Sequence, residues 1–111
     1  MKSRKPAWAG SSVDGFIASE MTDPEFKVAF ARARARRIKR ALAEAILSAR
    51  KRSRLSQTIL AKRVKTTQAV ISRIENPDLQ YLPSVEVLSR IAIALGAQLE
   101  ISFVPLARKA A

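Results

Sequence analysis

The sequence predicts an all-α domain, preceded by a helical extension and followed by one short strand. Apolar side chains recur at helical spacing from residue 38 to residue 95, and Pro77 interrupts this pattern while Gly96 ends it. After Gly96 apolar and polar residues alternate, as is typical of a strand. The chain has 111 residues, of which 48% are apolar and 5% aromatic. We therefore expect one compact domain with an aliphatic core.

The composition argues against catalysis and against a cofactor or metal ion. The chain contains neither cysteine nor histidine, which removes thiol nucleophiles, zinc fingers and the commonest general base. Its carboxylates show no paired or metal-binding spacing. No apolar run is long enough to span a membrane, and no signal peptide is apparent. These features predict a protein of the reducing cytoplasm that is not an enzyme.

The net charge of +12 is concentrated in the middle of the chain. Residues 32–73 contain one acid, Glu44, and fourteen cations: Arg32, Arg34, Arg36, Arg37, Lys39, Arg40, Arg50, Lys51, Arg52, Arg54, Lys62, Arg63, Lys65 and Arg73. Such density indicates a polyanionic partner. The alternatives are a merely solvated surface and a membrane surface, but the helices are not basic and aromatic on opposite faces.

The N-terminal part divides into an arm at residues 1–22, predicted to be disordered, and a helical extension at residues 23–37. Thr22 or Asp23 can cap the extension, and Pro24 suits its first turn. Nothing breaks the helix before Arg52. Two interpretations stay open at this point: two helices, or one helix whose first half projects from the domain.

Two short helices with a tight turn between them are predicted at residues 55–76. Leu60, Ala61 and Val64 form one apolar face, and Ile71 and Ile74 form another. Thr66 or Thr67 can cap the second helix. The outward face of that helix carries four residues: Gln68, Ala69, Ser72 and Arg73. Gln and Arg can form paired hydrogen bonds with base edges, and Ala or Ser allows close approach.

This stretch resembles the helix-turn-helix of the lambdoid phage repressor (XRE) family. The likeness is carried by Leu55-Ser56-Gln57, Leu60-Ala61, Val64, Thr66-Thr67-Gln68 and Ile71-Ser72-Arg73-Ile74-Glu75-Asn76. It implies a five-helix repressor-like domain, here at residues 38–96, whose second motif helix enters the major groove. One departure is Lys65, where the family usually has Gly. A left-handed backbone there would cost Lys about 1 kcal/mol. Two explanations stay open: a compensating phosphate contact, or a turn that differs slightly from that of the family.

The resemblance also implies roles for individual residues. Gln68, Ala69, Ser72 and Arg73 are expected to face base edges, with Arg73 reading guanine. Four residues match positions that bind phosphates or support residues that do: Ser56, Gln57, Thr67 and Asn76. Three further residues are expected to add backbone contacts that position the protein without specifying sequence: Lys62, Lys65 and Tyr81. Arg50 and Glu75 occupy positions where the family forms a partly buried ion pair, which would hold the recognition helix at a fixed angle.

The segment at residues 97–105 is predicted to be a dimerisation strand, followed by a tail at residues 106–111. Leu99, Ile101 and Phe103 form its apolar face. Because a lone strand leaves its backbone groups unpaired, a two-fold antiparallel ribbon with a second copy is the simplest solution. A frayed tail and pairing with an N-terminal segment are the alternatives.

The layout of residues 24–104 is similar to that of HigA- and HipB-type antitoxins of bacterial toxin–antitoxin pairs. This likeness implies a homodimer that binds a palindromic operator at its own promoter and neutralises a toxin. Candidate toxin contacts are Trp8, Phe16, Phe26 and Phe30. A stand-alone regulator is the alternative function. An RNA-binding module is less favoured because the basic face lacks stacking aromatics.

Overall fold

The computed structural model describes residues 22–106, which contain four helices and no strand. The helices are α1 (Pro24–Arg52), α2 (Gln57–Arg63), α3 (Gln68–Glu75) and α4 (Val85–Ala94). The expected five-helix count is therefore wrong. The extension and the first helix of the domain are one continuous helix, and no helical pattern follows Gly96 within the described part of the chain.

Helix α1 runs without interruption for 29 residues. Asp23 Oδ1 accepts a hydrogen bond from the Glu25 backbone N–H at 3.0 Å, which satisfies one free donor of the first turn. Alanine and arginine dominate the segment that follows, and both favour helix. Residues 34–101 form one compact unit, and residues 22–33 and 102–106 belong to a second.

The core of the compact unit is aliphatic and lies between the helices. Its buried members are Ile46, Leu60, Ala61, Val64, Ile71, Ile74, Leu88 and Ile91. Leu60, Ile71 and Ile74 are completely inaccessible to solvent. Ala61 is buried on α2, where a larger side chain would hold α2 and α3 apart. This packing fixes the orientation of α3 within the domain.

Three of the four helices end in the same hydrogen-bonded motif, with a left-handed residue just after the cap. Those residues are Arg54 (φ 59°), Lys65 (φ 62°) and Gly96 (φ 76°). After α2, the Thr66 N–H donates to the Ala61 carbonyl at 2.9 Å, and after α4 the Ala97 N–H donates to the Ala92 carbonyl at 2.8 Å. Glycine adopts this conformation freely, but a side chain strains it.

The dimerisation strand predicted at residues 97–105 is wrong, because the described chain is irregular from residue 97 to residue 106. A strand requires the backbone of a neighbouring strand, and residues 22–106 provide none. Leu99 instead packs against the core of the helical unit. Ile101 and Phe103 are each exposed. Among the described helices none is long and apolar enough to cross a membrane.

Candidate nucleic-acid interface

Helix α3 presents a polar face to solvent and an apolar face to the core. Ile71 and Ile74 are buried, whereas Gln68, Ala69, Ser72 and Arg73 are all exposed. The helix starts at Thr67, whose Oγ1 accepts a hydrogen bond from the Val70 N–H at 3.2 Å. The four residues that the sequence assigns to base contacts are thus brought together on one accessible helical surface.

The Arg73 guanidinium lies over the ring of Tyr81, 5.9 Å from its centroid. Tyr81 is half-buried and packs against the core, so packing restricts the position of its ring. A cation above an aromatic face is attracted by the electrons of the ring. This contact restricts the freedom of Arg73 before any ligand arrives. It also gives Tyr81 a role in addition to the phosphate contact expected from the sequence.

A chain of hydrogen bonds links the surface of α3 to the interior. Gln68 Nε2 donates to Gln57 Oε1 at 2.6 Å, and Gln57 Nε2 donates to Glu75 Oε1 at 2.9 Å. Arg50 then binds Glu75 through two nitrogens: Nε donates to Oε2 at 2.7 Å and Nη2 donates to Oε1 at 2.9 Å. The third Arg50 nitrogen, Nη1, donates to the Leu55 carbonyl at 2.8 Å.

The ion pair within this chain is shielded from water. The side chains of Arg50 and Glu75 are only 11% and 4% exposed. Hydrogen bonding to Glu75 raises the pKa of Arg50, and the charge of the carboxylate acts in the same direction, while desolvation opposes both. The paired geometry compensates for the burial of two charges. As a result α1, which carries Arg50, is joined to the last turn of α3.

A second cation of α1 reaches the same end of α3. Lys39 is 4% exposed, and its ammonium donates to the backbone carbonyl of Asn76 at 2.7 Å. Asn76 caps the C-terminus of α3, where the helix dipole favours a positive charge. Burial lowers the pKa of Lys39, and the negative charge of Asp78 partly opposes that effect. Next to it, Arg40 forms an exposed ion pair with Asp78 at 3.3 Å.

No role for Lys39 was predicted from the sequence. A signal was present, because Lys39 shares one face of α1 with Ala43 and Ile46, which are both buried. A lysine on an apolar face requires an acceptor. The identity of that acceptor depends on a contact between residues 37 positions apart, which no local pattern reveals.

The residues proposed from the sequence for phosphate contacts lie around the motif in different environments. Ser56 caps α2 and accepts a hydrogen bond from the Ile59 N–H at 3.1 Å. Lys62 and Lys65 are exposed, whereas Gln57 is half-buried. Asn76 Oδ1 accepts a hydrogen bond from the Asp78 N–H at 2.9 Å. All of these positions, with Thr67 and Tyr81, belong to the compact unit.

The candidate toxin contacts fall elsewhere in the chain. Trp8 and Phe16 lie outside the described residues. Phe26 and Phe30 are half-buried near the start of α1, with stacked rings whose centroids are 5.9 Å apart. Within residues 22–106, no group of three or more Asp and Glu side chains is placed to hold a metal ion.

A family model described as helix-turn-helix matches residues 46–101, which is half of the chain. The matched range begins in the second half of α1, includes α2, α3 and α4, and ends with the irregular segment that follows. Neither the curated proteins nor the solved structures gave a significant match.

Proposed function

Because this chain belongs to the XRE-type helix-turn-helix family of DNA-binding transcription regulators, we propose that it is a sequence-specific repressor that reads operator DNA with α3. The main support is the exposed polar face of α3. The Arg50–Glu75 pair joins this helix to α1 and so holds it in a fixed orientation. A rigid helix with a polar outer face fits the major groove, where base edges can be distinguished.

The proposed reading residues differ in what each contributes. Arg73 would donate two hydrogen bonds to guanine, and Gln68 would pair with adenine. Ala69 and Ser72 would allow the helix to approach the bases closely. In the free protein Gln68 already bonds Gln57, so its amide is oriented before DNA arrives. Lys62, Lys65 and Asn76, with the N-terminal ends of α2 and α3 at Ser56 and Thr67, would bind phosphates.

The test measures binding of the full chain to duplexes from its own upstream region and to scrambled duplexes of equal length. The wild-type protein should prefer its own region. Arg73→Ala should reduce that preference, since a good paired contact discriminates by about 1–3 kcal/mol. The matched control is Lys65→Ala, which should weaken binding to both duplexes and flatten the dependence on salt. Equal weakening on both duplexes by Arg73→Ala would refute its assignment.

We also propose that the repressor acts as a homodimer, because two copies are needed to read a palindromic site. The supporting observation is the exposure of apolar side chains near the C-terminus: Ile101 is 63% exposed and Phe103 is 99% exposed. Leu99 contributes less, since it packs against the core of its own chain. Sedimentation of Phe103→Ser should give a lighter species than the wild-type protein. Identical sedimentation would exclude Phe103 as a dimer contact.

A more specific proposal is that this repressor is the antitoxin of a type II toxin–antitoxin pair and represses its own operon. Its support is the likeness of residues 24–104 to HigA- and HipB-type antitoxins and the start of α1, which lies outside the matched range. The stacked pair Phe26 and Phe30 is the proposed toxin contact. A stand-alone regulator is the alternative.

Co-expression with the product of the adjacent reading frame tests this proposal. The wild-type chain should co-purify with that product and relieve its toxicity, and a Phe26→Ala, Phe30→Ala double variant should retain DNA binding but lose the partner. If no adjacent product binds the chain, the stand-alone regulator is favoured. If the double variant binds the partner undiminished, these two residues are excluded as the contact.

A further inference from the structure

We propose that α1 carries a second phosphate-binding surface, formed by Arg36 and Arg40, which contacts the duplex beside the half-site that α3 reads. We call these two residues the flanking cations. This proposal rests on the proposed function, since it presupposes that α3 lies in a major groove. It adds a contact that lies outside the helix-turn-helix motif and outside the range matched by the family model.

The position of the flanking cations follows from two contacts at the end of α3. Lys39 binds the carbonyl of Asn76 at 2.7 Å, and Arg40 binds Asp78 at 3.3 Å. These contacts hold this turn of α1 against the first residues after α3. Arg36 precedes Arg40 by four positions and therefore lies on the same face, about 6 Å further along the axis.

The charge around this position is unbalanced. Residues 34–43 contain five cations and no acid. Arg40 has Asp78 as its partner, but the side chain of Arg36 is exposed and forms no hydrogen bond or ion pair with any residue from 22 to 106. Like charges three and four positions apart repel each other along a helix. A polyanion bound here would reduce that repulsion by neutralising charge.

Duplex DNA is the polyanion that this location favours. When a helix lies in the major groove, the phosphates of the groove walls run past its ends. Arg40 lies beside the residues that follow α3, where such a wall would pass, and Arg36 lies one turn further along α1. Arginine suits this task because its planar donors match phosphate oxygens. Arg40 remains 56% exposed in its pair with Asp78, so it is also accessible to a phosphate.

The experiment compares two charge-neutralising variants of the full chain. Arg36→Gln removes a flanking cation. Arg34→Gln is the matched control, since Arg34 is also exposed and lies two positions before Arg36, about 160° away around α1. Affinity for the upstream duplex and for a scrambled duplex is measured over a range of salt concentrations. A third variant, Arg36→Lys, keeps the charge.

Arg36→Gln should weaken binding to both duplexes by the same factor and reduce the slope of log affinity against log salt by about one. Arg36→Lys should preserve most of the slope, and Arg34→Gln should change it less than Arg36→Gln does. Equal changes for Arg36→Gln and Arg34→Gln would overturn the proposal, because they would indicate only the long-range field of the helix. An unchanged slope for Arg36→Gln would overturn it as well.

Failure of the proposed function gives a different result. In that case the wild-type protein would show no preference between the two duplexes. The flanking contact alone would be rejected if the wild type prefers its own duplex and Arg36→Gln keeps both this preference and the salt slope. The repressor assignment would then stand.

Discussion

Lys39 and Arg50 lie inside the helical unit, whereas Arg54 and Lys65 lie in surface turns. The two interior cations are both fixed by partners at the end of α3: the Asn76 carbonyl and the Glu75 carboxylate. The two surface cations occupy left-handed backbone positions where glycine is favoured. All four are basic side chains of the same domain, yet each affects stability for a different physical reason.

The difference shows that burial and partners, rather than charge alone, determine what a cation contributes. An interior cation is held by hydrogen bonds, and the loss of its partner leaves a charge in a medium that solvates it poorly. A surface cation at positive φ strains the backbone and gains little from water. Its retention is explained if it binds something outside the chain. For Lys65 we propose that this is a phosphate of DNA.

The largest expected effect comes from breaking the interior pair. Glu75→Ala should lower the free energy of unfolding by about 3–5 kcal/mol, since Arg50 would remain buried without its carboxylate. Gln57 would also lose its acceptor at Glu75 Oε1. Urea denaturation followed by circular dichroism measures the change.

The matched control is Glu86→Ala, which removes the acid from the exposed pair between Arg90 and Glu86. Such pairs contribute about 0.3–0.5 kcal/mol, so this variant should be nearly as stable as the wild type. A loss of less than about 1 kcal/mol in Glu75→Ala would contradict the interpretation of the interior pair.

Local sequence signals predicted helices where α2, α3 and α4 lie, but the helix count was wrong and the contact between Lys39 and Asn76 was not predicted. Ser84 and Gly96 mark the two ends of α4 because capping and left-handed ends depend on residue type. Arg54 carries no such signal, since an arginine at positive φ is dictated by the geometry of the turn. The alternation of Leu99, Ile101 and Phe103 describes side chains only. A strand depends on a neighbouring backbone, which the residue pattern does not reveal.

The next largest change in stability is expected in the turns that contain a left-handed residue. Lys65→Gly should raise the free energy of unfolding by about 1 kcal/mol, because glycine relieves the strain at φ 62°. Gly96→Ala is the reciprocal variant at the same motif. An added Cβ there has no atom within 4 Å, so only backbone strain lowers its stability, again by about 1 kcal/mol.

Calorimetric melting of both variants provides the measurement. If Lys65→Gly also weakens DNA binding, the strained lysine is retained for its contact with the ligand. If Lys65→Gly is less stable than the wild type, the lysine side chain stabilises the turn more than its backbone conformation strains it. The contrast drawn above between interior cations and cations in surface turns would then be wrong for Lys65.

A smaller effect concerns the pH dependence caused by Lys39. Burial lowers its pKa in the folded protein below the ordinary value of 10.5. Between the two pKa values the unfolded chain binds more protons than the folded one, so this group makes stability rise with pH there. The stability of the wild type relative to Lys39→Met should therefore increase as pH rises towards 10.5. A constant or decreasing difference in urea denaturation would contradict this assignment.

The smallest change in stability is expected at the exposed ion pair between Arg40 and Asp78. Both side chains are exposed, at 56% and 81%, so Asp78→Asn should cost about 0.5 kcal/mol or less, and added salt should reduce even that loss. DNA binding should change in the opposite direction. Removing an acid beside the flanking cations leaves Arg40 free for phosphate, so affinity for every duplex should rise. Melting curves and binding isotherms on the same preparation separate these effects. Reduced affinity would show that Asp78 positions Arg40 for binding instead of competing for it.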